Sequence, residues 1–130
     1  MLTRSERDLA SEDRRTPVRA DDAYNVHEKL RDYSLNLAHD VGGDKAVGFL
    51  QILGIWAADA EYLAAALLDG ARELPVTAVR DNAPFGLNCN VIVPVRGLGQ
   101  RADRVANVLT SWEFRHEDDR PRLVTAYIDE

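Results

Sequence analysis

Leu87-Asn88-Cys89-Asn90-Val91-Ile92-Val93-Pro94-Val95 repeats with a period of two: Leu87, Cys89, Val91, Val93 and Val95 share one side, Asn88, Asn90 and Ile92 the other. Side chains of an extended strand alternate between faces, so this stretch predicts a strand with one face buried. Pro94 removes a ladder donor, which predicts an edge position or a late bulge. The period continues downstream. Gly97-Leu98-Gly99-Gln100 turns the chain, and Ala106, Val108, Thr110, Trp112 and Phe114 then alternate with Asn107, Leu109, Ser111 and Glu113 in a strand near 104–114. The charged run His116–Arg120 leads into Pro121-Arg122-Leu123-Val124-Thr125-Ala126-Tyr127-Ile128. In that last strand Val124, Ala126 and Ile128 form the core set, with Leu123, Thr125 and Tyr127 on the opposite face. Upstream, Val76–Arg80 is a first strand, followed by a loop over 81–86 rich in turn formers.

Before Pro75 the period is helical. Ala46, Val47, Phe49, Leu50, Ile52 and Leu53 predict a helix near 45–54, with Asp44 as its N-cap and Gly54 closing it. Tyr62, Leu63, Ala66 and Leu67 form the apolar stripe of an Ala-rich helix near 59–70, its end bracketed by Gly70 and Pro75. A short helix near His27–Asp32, followed by an extended stretch, fits the irregular apolar pattern from Tyr24 to Leu37. Helices followed by an antiparallel meander predict an α+β fold, with N-terminal helices on one face of a four-stranded sheet and the other face open.

Residues 1–22 carry five arginines and six acidic residues without any period, and read as a flexible charged arm before a single domain at 23–130. The single cysteine excludes an internal disulfide and a Cys-based zinc site, and Cys89 lies in the apolar phase of its strand, as a small buried hydrophobe would. Gln51, Asp59 and Glu61 interrupt the longest apolar stretches, and no signal-like segment opens the chain; the expectation is a cytoplasmic protein without a membrane partner. A net charge of −6 argues against a dedicated non-specific nucleic-acid binder but allows a small basic cleft.

Candidate chemistry gathers at two places. His39 precedes Gly42-Gly43-Asp44-Lys45; a histidine titrates near neutrality, and a lysine beside a helix start favours an anion. At the other end of the chain, Thr125 and Tyr127 share a strand face with Ser111, and Arg122 stands at the strand's entrance. His27 and His116 read as ordinary surface residues. One histidine with Asp40 and Asp44 makes a poor cation site, and the glycine pair is too short for a phosphate loop.

The ordered segments Lys29-Leu30-Arg31-Asp32-Tyr33-Ser34-Leu35-Asn36, His39-Asp40-Val41-Gly42-Gly43-Asp44-Lys45-Ala46, Thr110-Ser111-Trp112 and Pro121–Tyr127 resemble a bacterial domain family associated with toxin–antitoxin systems. The resemblance covers about residues 29–128, and the layout is similar to the barnase/colicin/RelE-like group of metal-independent ribonucleases. It implies His39 and Lys45 in one half of a cleft, and Thr110, Trp112, Arg122, Thr125 and Tyr127 in the strand motifs. The family usually has an arginine just before the threonine matching Thr110; here that residue is Leu109.

The resulting expectation is a metal-independent endoribonuclease toxin that needs no cofactor, acting on RNA and held by a cognate antitoxin protein. His39 would be its acid or base, Lys45 and Arg122 its phosphate cations, and Thr125 and Tyr127 its positioning groups. The alternative is a catalytically inactive module that binds protein through the open sheet face.

Overall fold

A computed structural model describes residues 23–39, 43–81, 86–115 and 120–129. The order is α1 (Val26–Lys29), running on as a π-helical turn (Leu30–Ser34); α2 (Gly43–Gly48), likewise continued by a π turn (Phe49–Leu53); and α3 (Ala60–Glu73). Strands β1 (Ala78–Asp81), β2 (Gly86–Arg96), β3 (Val105–Arg115) and β4 (Arg122–Ile128) follow as an antiparallel meander in sequential order. This is the α+β arrangement that the change of period at Pro75 predicts. The charged arm, the turn residues 40–42 and His116 lie outside the described residues.

The helices cover one sheet face. Leu63, Leu67 and Ala71 of α3, Phe49 and Leu53, and Leu30 pack with Cys89, Val91, Val93 and Val95 of β2 and with Val108, Trp112 and Phe114 of β3 in one buried core. Helical segments Gly43–Leu53 and Ala57–Glu73 meet at 78°, and Gly54 makes the break with φ of 66°, a left-handed conformation that suits glycine. No single helix among the described residues is long and apolar enough to cross a membrane.

Several local expectations change. The helix begins at Gly43, so Asp44 stands within its first turn rather than capping it. After α1 the chain takes a π turn and then further turns where an extended stretch was expected. Gly70 does not end α3; it lies within the helix, and a Cβ there would collide with the Val93 side chain, so glycine permits the close contact of α3 with β2. Pro94 is tolerated in a central strand because β1 pairs only with residues 87–90 of β2, leaving Pro94 with a neighbour on the β3 side alone.

The faces of β4 also shift. A bulge between Ser111 and Trp112 pairs Trp112 with Leu123 and Ser111 with Thr125, leaving Val124 as the extra residue. Leu123 therefore joins Ala126 in the core, while Val124 is half-buried. Period-two counting cannot foresee one inserted residue. The face away from the helices is not simply open, either: Ser111 and Glu113 are buried, and Thr125 and Tyr127 are half-buried.

Strand β4 would be a bare sheet edge without the residues before α1. Tyr24 N–H donates to the Pro121 carbonyl at 3.1 Å. The Asn25 amide then both accepts from Leu123 N–H (3.1 Å) and donates to Leu123 C=O (3.4 Å). Asn25 adopts φ of 61°, which asparagine tolerates better than most residues. This side-chain pairing replaces a fifth strand at the bulge.

Two substitutions test this packing. Gly70→Ala should destabilise by about 1–3 kcal/mol through overpacking despite alanine's better helix propensity, and Val93→Ala in the same chain should recover part of that loss; urea midpoints measure both. Asn25→Ala should cost about 1–3 kcal/mol, because Leu123 loses both backbone partners and the left-handed backbone loses a tolerant residue. A loss below about 0.5 kcal/mol would show that the clamp is dispensable.

Candidate active site

The first half of the site is carried by β4 and the π turn after α1. On the sheet face away from the core, Asn88–Glu113–Arg122, Asn90–Ser111–Thr125 and Ile92–Leu109–Tyr127 lie in register as successive rows. Arg122 Nη2 donates to Glu113 Oε1 at 3.3 Å, a contact whose glutamate is nearly buried. Arg122 Nε and the Oδ1 atoms of Asn88 and Asn90 are buried without hydrogen-bond partners among the described residues. Buried polar atoms normally find partners, so these two adjoining rows hold unsatisfied polar groups on the sheet.

The second half comes from α2, which packs beside β4. Lys45 Nζ donates to Thr125 Oγ1 at 2.8 Å, joining residues 80 apart in the chain. The same ammonium lies 5.1 Å from the centroid of the Tyr33 ring and 5.6 Å from that of Tyr127. Lys29 Nζ lies 4.5 Å from the Tyr33 centroid, and the His39 ring meets Tyr33 edge-on at 4.5 Å between centroids. Cation–π contacts of this kind contribute about 0.5–2 kcal/mol each, enough to hold two ammonium groups near one another. One aromatic ring thus gathers Lys29, Lys45 and His39.

Lys29 and Tyr33 were assigned no role by sequence reasoning. One signal was available: of sixteen Lys and Arg residues only Lys29 and Lys45 are lysines, and both stand on Tyr33. Lysine is a compact charge whose proton affinity responds to its surroundings, unlike arginine's. Burial, then the Arg122 charge, then the Lys45 charge hold the Lys29 ammonium below its ordinary value of 10.5. Three cations therefore share one field within a chain of net charge −6.

All five expected site residues, His39, Lys45, Arg122, Thr125 and Tyr127, contribute to this cluster or its immediate border. Thr110 and Trp112 do not. Trp112 is fully buried on the core face, and its indole N–H donates to Thr110 Oγ1 (2.8 Å), while that hydroxyl donates to the Val91 carbonyl (2.6 Å). Their part is to satisfy the core. Cys89 is buried and its thiol is pushed up to about 12 by burial, which leaves it protonated and unreactive. His27 is half-buried on α1. Beside Lys45 and Tyr127 a cleft of about 510 Å³ opens between α2 and the end of β4.

With two lysines, selective 13C labelling resolves each side chain. Lys29 should titrate below 10.5, and Arg122→Met should move its midpoint upward by removing the second-largest cause of the shift. Because folded Lys29 releases its proton more readily than the unfolded chain does, its contribution makes stability rise with pH between its folded value and 10.5; Lys29→Met should remove that slope. An unmoved Lys29 midpoint in Arg122→Met would show that the two cations do not interact.

No curated protein and no solved structure matches the chain. A family model does match, over residues 18–130, and so takes in both halves of the cluster. The chain belongs to the family described as Domain of unknown function (DUF6883).

Proposed function

We propose that this domain is a metal-independent endoribonuclease of the toxin type, acting in the cytoplasm and restrained by an antitoxin protein. The observation that carries the reading is the single cluster in which Lys45 bonds Thr125 while Lys29, Lys45 and His39 all meet the Tyr33 ring. Cations, an imidazole and hydroxyls are the groups that phosphodiester transesterification uses.

In this reading the non-bridging oxygens of one RNA phosphate lie against Lys45 and Arg122, with Thr125 and Tyr127 fixing the phosphate and the ribose. His39 takes the proton of the ribose 2′-hydroxyl as that oxygen attacks phosphorus in line. The bond from phosphorus to the 5′-oxygen breaks, leaving a 2′,3′-cyclic phosphate. The departing oxygen takes a proton from the Lys29 ammonium, which burial and its neighbours make a stronger acid than an ordinary lysine. Charge accumulates on the phosphorane oxygens in the transition state, where preorganised cations stabilise it most.

One observation favours a second reading, a catalytically inactive protein-binding module. Leu109 pairs across from Tyr127, placing an apolar side chain in the row where related toxin-like sequences are expected to carry an arginine. The two readings separate in one assay. Purified protein should cut total RNA at low salt in the presence of chelator. His39→Ala should lower the rate about 10²–10⁴-fold with the fold intact by circular dichroism, and Leu109→Arg should raise it. RNA left whole by both wild type and Leu109→Arg would reject the ribonuclease and leave the binding module.

A further inference from the structure

The cleft beside the cation cluster has features that the transfer chemistry itself does not require. Its volume is about 510 Å³, within the range of small-molecule sites. Lys45 and Tyr127 line it, so it is continuous with the phosphate-binding groups; Val47, Ile52 and Ile128 supply apolar lining. Asp44 and Gln51, both exposed, add the polar groups.

Gly48 also lines the cleft, and its backbone has no need of glycine. Its φ of −58° and ψ of −48° are ordinary right-handed helix, a setting in which glycine is among the most costly residues. A Cβ at this position would meet nothing within 4 Å, in contrast to Gly70, whose Cβ would strike Val93. Packing and backbone conformation thus explain Gly70 and leave Gly48 unexplained. A missing side chain in the lining of a cleft keeps that cleft wide. The α2 helix passes directly from Gly48 into its π turn, a helix irregularity frequent at functional sites.

We infer that this cleft is a nucleobase subsite, receiving the base of the nucleotide whose phosphate rests on Lys45. The inference builds on the proposed RNA chemistry, because the adjoining cations select a phosphate-bearing ligand. A nucleobase is flat and mostly apolar on its faces and carries hydrogen-bonding groups only on its edge. Val47, Ile52, Ile128 and the Tyr127 ring suit the faces, and the Gln51 amide and Asp44 carboxylate suit the edge. Aromatic stacking serves every base, and an acceptor-only carboxylate can receive the amino or ring N–H groups that a base presents on its edge.

The test compares nucleoside 5′-monophosphates with ribose 5-phosphate, which has the same sugar and phosphate but no base, by titration calorimetry at low salt. At least one nucleotide should bind roughly tenfold or more tighter than ribose 5-phosphate. In Gly48→Leu, which adds a good helix former pointing into open space, that advantage should vanish while ribose 5-phosphate binds as to wild type. Gly48→Ala should keep most of the advantage. Equal binding of nucleotides and ribose 5-phosphate, no binding of either, or an advantage that survives Gly48→Leu would overturn the subsite. Cleavage of RNA is scored separately: a protein that shows the nucleotide advantage but cuts no RNA retains the subsite and loses the ribonuclease.

Discussion

The site depends on the Asn25 amide holding the backbone of Leu123. These two hydrogen bonds join residues 98 apart and settle two matters together. They occupy the Leu123 N–H and C=O at the outer edge of β4, where another chain would otherwise pair. They also fix the start of α1, and α1 with its π turn carries Lys29 and Tyr33. The clamp works together with the Tyr24–Pro121 backbone bond and the core packing of Val26 and Leu30 in placing those two side chains against Thr125 and Tyr127. The bulge at Val124 completes the arrangement, because it lets Leu123 enter the core while Thr125 stays on the face away from the helices.

The polar face of the sheet is built at some cost. Glu113 is nearly buried and is opposed by Arg122, which also has a buried Nε without a hydrogen-bond partner among the described residues. Such pairs seldom stabilise a protein relative to apolar residues of equal size. The one such pair here, with buried Ser111 and half-buried Thr125 in the next row, sets this face apart from the apolar face that meets the helices. Stability comes from the opposite face, where Trp112, Phe49, Phe114 and Leu63 are fully enclosed.

Much of the fold was legible because its signals are local. The period-two runs of β2 and β3 and the apolar stripe of α3 each reflect a single face meeting a single core, and these strands formed as read. What was not legible depends on contacts distant in sequence. Gly70 reads as a helix terminator until Val93 is seen against it, and Leu123 reads as outward-facing until the bulge is known. The site divides in the same way. His39, Lys45, Arg122, Thr125 and Tyr127 could be singled out by residue type and position. Tyr33 could not, and Lys29 was marked only by the scarcity of lysine, since their shared role arises only when α1 is set against β4. Thr110 had the right chemistry and the wrong phase of the strand.

The scarcity of lysine has a consequence for how this protein responds to covalent chemistry. Both lysines of the chain stand on the Tyr33 ring, while the other permanently charged basic residues are arginines. Acylation of lysine neutralises its charge and removes a cation–π donor. For most proteins such labelling scatters over the surface and leaves the active region largely unaltered. Here each acyl group that reacts with a side-chain amine lands within the cluster and lowers its positive charge, so amine acylation is in effect a site-directed reagent against it.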